Sequence, residues 1–95
     1  MADKIMTLHP QGKQGVHIDR EKYEQVKKAM MTALQQHGEM TFTELGTAVI
    51  QQLADNFTGS IMWYYTTVKL DLEARNILRR TQARPQKIQL TVNKS

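Results

Sequence analysis

No cysteine occurs among the 95 residues. Disulfides, zinc–thiolate centres and thiol nucleophiles are excluded together, so a fold this small rests on packing alone, and the absence fits a reducing compartment. No run of about 18 apolar residues is present that would read as a membrane-spanning helix, and the opening MADKIMTLHPQ lacks the apolar stretch of a secretory leader. A cytoplasmic location without a membrane partner is the expectation. The glycosylation-like triplet Asn56-Phe57-Thr58 then carries no weight, because its acceptor chemistry belongs to secreted chains.

Catalytic groupings are equally scarce. His9, His17 and His37 fall in separate segments, with no pair four apart to place two ligands on one helical face. Ser60 and Ser95 have no nucleophile elbow around them, and GKQG lacks the spacing and the following Ser or Thr of a phosphate loop. A non-enzymatic protein with no cofactor and no metal is expected.

Acid is missing from one end. Residues 1–73 hold seven Lys or Arg against nine Asp or Glu, a balance of −2, whereas residues 74–95 hold six cations and no acid, a balance of +6. Such an asymmetry points to an acidic partner such as nucleic acid, or to a merely solubilising tail. What is present is otherwise ordinary: 40% hydrophobic and 23% charged residues are the values of a folded domain, and the length suits a single core.

Along the chain, residues 1–18 contain HPQGKQG, a turn or loop marked by Pro10, Gly12 and Gly15, between two short strand candidates, Ile5–Leu8 and Val16–Ile18. Val16 and Ile18 alternate about His17 and offer one apolar face to a core edge. From residue 19 the pattern becomes helical. Asp19 is a good N-cap, Tyr23, Val26, Met30, Ala33 and Leu34 recur at helical spacing, and Gly38 is a left-handed stop. In MTFTELGTAVIQQLADNF, Thr41 and Glu44 make a capping box for a second, shorter helix with a stripe of Leu45, Val49 and Leu53. Ser60 caps a third helix that runs to about Arg75 and ends at Asn76, one of the few residues besides glycine that accept a left-handed backbone. Ile77–Thr81 and Lys87–Val92 then flank QARPQ as a β-hairpin with a basic tip.

This order resembles a winged helix-turn-helix domain over roughly residues 19–92. The likeness is most specific at Leu72-Glu73-Ala74-Arg75-Asn76-Ile77-Leu78-Arg79-Arg80, which looks like the junction where the recognition helix of that superfamily meets its wing, with Asn76 in place of the usual glycine. MTFTEL looks like the opening of its second helix. The segment from Phe57-Thr58-Gly59-Ser60-Ile61-Met62-Trp63-Tyr64 to Leu72-Glu73-Ala74-Arg75 is also similar to that of small bacterial proteins of unknown function. The resemblance implies an α+β fold: a three-helix winged helix-turn-helix over 19–95 with a C-terminal hairpin wing, preceded by a short extended segment over 1–18.

It also implies a DNA-reading third helix. On that reading Ser60, Trp63, Thr66 and Thr67 enter the major groove of double-stranded DNA, while Arg80, Arg84 and Lys87 hold phosphates. The residue types fit poorly. At about 100° per residue, Ile61, Tyr65, Val68 and Leu72 face the core, and Trp63, Thr67 and Leu70 lie nearly opposite with Thr66 at their edge. This outer side lacks the Arg, Lys, Asn or Gln that read bases, and Asp71 and Glu73 on the same helix are expected to repel phosphate. The alternative is a protein-interaction or homodimerisation surface built on Trp63, Thr67 and Leu70, or packing of those residues under the N-terminal segment.

Overall fold

Each helix starts where a side chain can replace a missing backbone partner. In the computed structural model of the protein, α1 spans Arg20–His37 and the Asp19 carboxylate accepts from Glu21 N at 2.9 Å. Helix α2 spans Phe42–Leu53, where Thr41 and Glu44 bond each other's backbone reciprocally at 3.1 and 3.0 Å. Helix α3 spans Ile61–Ala74 and is opened by Ser60, whose hydroxyl accepts from Trp63 N at 3.2 Å. The described residues are 4–9, 11–12, 15–55, 57–82 and 84–91. Pro10, Asn56 and Val92, assigned above to turns and a strand, lie outside them, as do Lys94 and Ser95.

The helix ends are also chemically specified. Gly38 closes α1 at φ 80°, although its ψ of −75° lies outside the left-handed helical well named above. Asn76 stands at φ 64°, and beside it Ile77 N donates to Leu72 O and Asn76 N to Glu73 O. Those two bonds are a Schellman motif, in which the residue after the cap must turn left-handed. Asparagine does here what glycine does in most such ends.

Among the described residues the strands form two antiparallel sheets. Strands β1 (Lys4–Met6) and β2 (His17–Asp19) pair as an N-terminal hairpin. Strands β3 (Glu39–Thr41), β4 (Leu78–Arg80) and β5 (Lys87–Leu90) make a sheet of order β3-β5-β4. The class is therefore α+β. The expected C-terminal hairpin is present as β4–β5, but β3 was not foreseen; it is only three residues long and lies within what reads as helix capping sequence.

The core joins all of these parts. Val26, Met30 and Leu34 of α1 meet Leu45 and Val49 of α2, Tyr65, Val68 and Leu72 of α3, and Leu78 and Ile88 of the sheet, all at most 2% exposed. The predicted inner stripe of α3 is borne out at Tyr65, Val68 and Leu72, with Ile61 only half-buried at the helix end. Ile18 is likewise buried. Val16, expected on the same face, is instead exposed, because α1 covers β2 while Val16 lies against α3.

Asn76→Val should lose about 1–2 kcal/mol of unfolding free energy in urea titration, since a β-branched residue pays the left-handed cost, whereas Asn76→Gly should keep or exceed the parent stability.

Candidate functional site

Two acids close together on α3 face opposite ways. Asp71 and Glu73 are two residues apart, which on a helix is roughly 200° of rotation. Asp71 is fully buried on the side of α1 and the N-terminal hairpin. Its carboxylate accepts from the Tyr23 hydroxyl in a short bond, from Leu8 N at 2.8 Å, and from Arg75 Nε at 2.9 and 3.0 Å. Arg75 reaches on to Met6 O. Glu73, with a side chain 6% exposed, faces β4 and lies 3.0 Å from Lys69 Nζ and 3.3 Å from Arg80 Nε. Among the described residues its oxygens take no well-aligned hydrogen bond, so its charge is answered by these two ion pairs.

These contacts correct the expectation that both acids stand as open charges on α3 that repel phosphate. They also answer nearby cations of α3 and β4. Lys69 is buried against Phe42, 5.6 Å from the ring centre, and Arg75 and Arg80 are paired with carboxylates. Burial, together with the Asp71 hydrogen bond and charge, raises the ionisation of Tyr23 well above the ordinary phenol value. Burial, with Glu73 adding to it, does the same for Tyr65, whose hydroxyl donates to Phe42 O at 2.7 Å. Arg75 is held more firmly charged by its bond to Asp71.

The outer side of α3 is left between two shallow recesses. One, of about 180 Å³, is lined by Trp63, Thr67 and Leu70 together with Thr7, Leu8, His9, Gly15 and Val16 of the N-terminal segment. The hairpin that forms this wall is locked by Thr7, whose hydroxyl donates to Val16 O and accepts from Val16 N. Only glycine fits at position 15, where a Cβ would lie 1.7 Å from Thr7 O. The second recess, of about 210 Å³, is lined by Phe42, Thr43, Gly46, Thr47, Ile50 and Met62. Met62 and Trp63 are adjacent in sequence and about 100° apart on the helix, so the two recesses flank the first turn of α3, with exposed Thr66 between them.

The exposed apolar residues concentrate there. Among the described residues the large hydrophobic side chains left open are Met6, Leu8, Val16, Phe42, Ile50, Met62 and Trp63, and all but Met6 line one of the two recesses. Trp63 is 48% exposed, braced on one edge by Tyr64 at 5.0 Å between ring centres. Isolated exposed hydrophobics are normal, whereas their grouping around one helix marks a candidate contact surface. The residues lining both recesses include no Asp, Glu, Lys or Arg.

The residues singled out in the sequence are thus divided. Trp63, Thr67 and Leu70 come together in one recess, and Thr66 stands exposed beside them. Trp63 and Leu70 do not pack wholly beneath the N-terminal segment; they share a recess with it. Ser60 is exposed but its hydroxyl caps the helix. Arg80 shares the sheet face of Ile88 and turns to Glu73, whereas Arg79 and Lys87 project from the opposite face and Lys87 lies 3.9 Å from Glu39. Arg84 is exposed between the strands. Sequence reasoning missed Leu8, Phe42, Ile50 and Met62. Ile50 carried a signal, since it lies about 140° from Leu45 around α2 and so off the apolar stripe.

The chain belongs to a family of unknown function (DUF6958), which it matches over residues 4–88. No curated protein and no solved structure matches it.

Tyr23→Phe should cost about 1–3 kcal/mol in urea unfolding, because it removes a donor from a buried carboxylate. Because the folded phenols of Tyr23 and Tyr65 keep their protons where the unfolded ones lose them, stability should be full below about pH 10 and fall as pH rises beyond it. Absorbance titration of tyrosinate should show both ionising only as the fold is lost.

Proposed function

We propose that this family member is a non-enzymatic winged-helix domain whose third helix is a protein-docking surface rather than a reader of DNA. The chain order α1-β3-α2-α3-β4-β5, with β5 between β3 and β4, supports the winged-helix reading, β4–β5 serving as the wing. One observation carries the docking reading: among the described residues, the recesses flanking α3 hold all but one of the large exposed hydrophobic side chains and no Asp, Glu, Lys or Arg. A DNA face gains most of its affinity by setting cations against phosphates. Interface cores are instead depleted in charge and enriched in aromatic residues and Met. Trp63 and Met62 on the crest of α3, with Thr67 and Leu70 behind, suit that second role.

The DNA reading keeps a specific support of its own. With Asp71 and Glu73 buried, phosphate repulsion from α3 is much reduced, and the exposed Arg79 and Arg84 with Lys87 give the hairpin a basic surface. On that reading Ser60, Trp63, Thr66 and Thr67 meet the groove while the hairpin meets the backbone, and binding is weak and insensitive to sequence.

A photo-crosslinking residue at position 66, expressed in living cells, should give a discrete protein adduct, and one at exposed Gln36 on α1 should not. Absence of an adduct at 66 removes the docking reading. In parallel, anisotropy of labelled duplex DNA at low and high salt should show little binding. Tight binding at low salt that Trp63→Ala weakens would overturn the docking reading in favour of DNA.

A further inference from the structure

Resting on the docking reading, we infer that the surface α3 presents is a self-complementary one, and that its partner is a second copy of this chain crossing α3 on α3 about a two-fold axis. Three observations converge on that occupant. The first is shape. Met62 and Trp63 form a ridge with a recess of about 210 Å³ on one side and about 180 Å³ on the other. A two-fold contact requires one patch to carry both the projection and the hollow that receives it. An exposed large aromatic beside a recess of side-chain size meets that requirement within a single turn of helix.

Charge is the second. Each copy carries +4 overall, so two copies can meet closely only through faces that set no like charges against one another, the remaining repulsion being screened by salt. Three cations of α3 and of the hairpin beside it are answered within the chain: Lys69 and Arg80 by Glu73, and Arg75 by Asp71. Among the described residues lining the recesses, a foreign acidic partner would find no Lys or Arg to pair with, and a foreign basic partner no acid. A second neutral apolar face fits better than either.

The third is area. The six open hydrophobic side chains that line the recesses, each 37–48% exposed, leave on the order of 500 Å² to cover, close to the upper range of apolar patches on monomers and more than half of the roughly 800 Å² per partner of a standard interface. Thr66 lies between the two recesses on the helical wheel and stands close to the axis.

The purified full chain supplies the test, because Trp63 is its only tryptophan and lies on the ridge. Light scattering across a dilution series should give the mass of a dimer that dissociates on dilution, and Trp63 emission should shift to the blue as the dimer forms. Met62→Lys, a change at an exposed position, should raise the dissociation constant by about a hundredfold or more, the loss expected of an interface hot spot, with helicity unchanged by circular dichroism. Thr66→Lys should do the same should Met62→Lys disturb folding, while Gln36→Lys adds equal charge and should leave the dimer intact. A dimer whose Trp63 emission is unmoved, or which survives both substitutions, overturns the assignment by placing the contact elsewhere. A monomer at all concentrations overturns it as well. The crosslink at position 66 then separates the two readings. A discrete adduct of foreign mass leaves the docking surface standing with another partner, and no adduct removes both.

Discussion

The buried carboxylate of Asp71 holds together parts of the chain that local structure alone would leave apart. It takes a hydroxyl from α1, a backbone N–H from the residues after β1, and the guanidinium one turn further along α3. A carboxylate that fully buried is costly unless its oxygens are answered, and here four bonds answer two oxygens. The N-terminal hairpin is otherwise a two-stranded ribbon, a form with little stability by itself. Its position against α3 therefore depends on Asp71, and with it the wall of the recess beside Trp63.

A second acid works on the other side of the helix by a different balance. Glu73 brings Lys69 and Arg80 inward and so joins α3 to β4, but without aligned hydrogen bonds its contribution is attraction set against desolvation. Together the two acids consume charges that would otherwise give α3 a polar exterior. What remains outward between Met62 and Leu70 is uncharged, Met62, Trp63 and Leu70 beside Thr66 and Thr67, and this is the feature on which the proposed docking role rests. The apparent acidity of α3 and the apparent basicity of the hairpin partly cancel inside the fold.

Local chemistry was legible where a residue acts on its own backbone. Asp19, Thr41 with Glu44, Ser60 and Asn76 mark their helix ends by side-chain oxygens and tolerance of positive φ, effects that reach only a few residues. The inner stripe of α3 was legible for the same reason, since helical period alone places Tyr65, Val68 and Leu72 together. Strand β3 was hidden because three residues carry too little period to see, and its partner β5 lies more than 40 residues away.

Sequence by itself thus determined the α+β class, the helix boundaries, the C-terminal hairpin and the presence of Trp63 on the side of α3 away from the core. Only the tertiary structure decided what that side contains. Asp71 and Glu73 read as surface charges because a helical wheel has one axis and no neighbours, while their burial comes from α1, the N-terminal hairpin and β4 arriving from distant parts of the chain. The same arrivals place Leu8, Val16, Phe42 and Ile50 beside Met62 and Trp63. A patch made from four segments has no period to betray it; it exists only when packing has brought those segments to one surface.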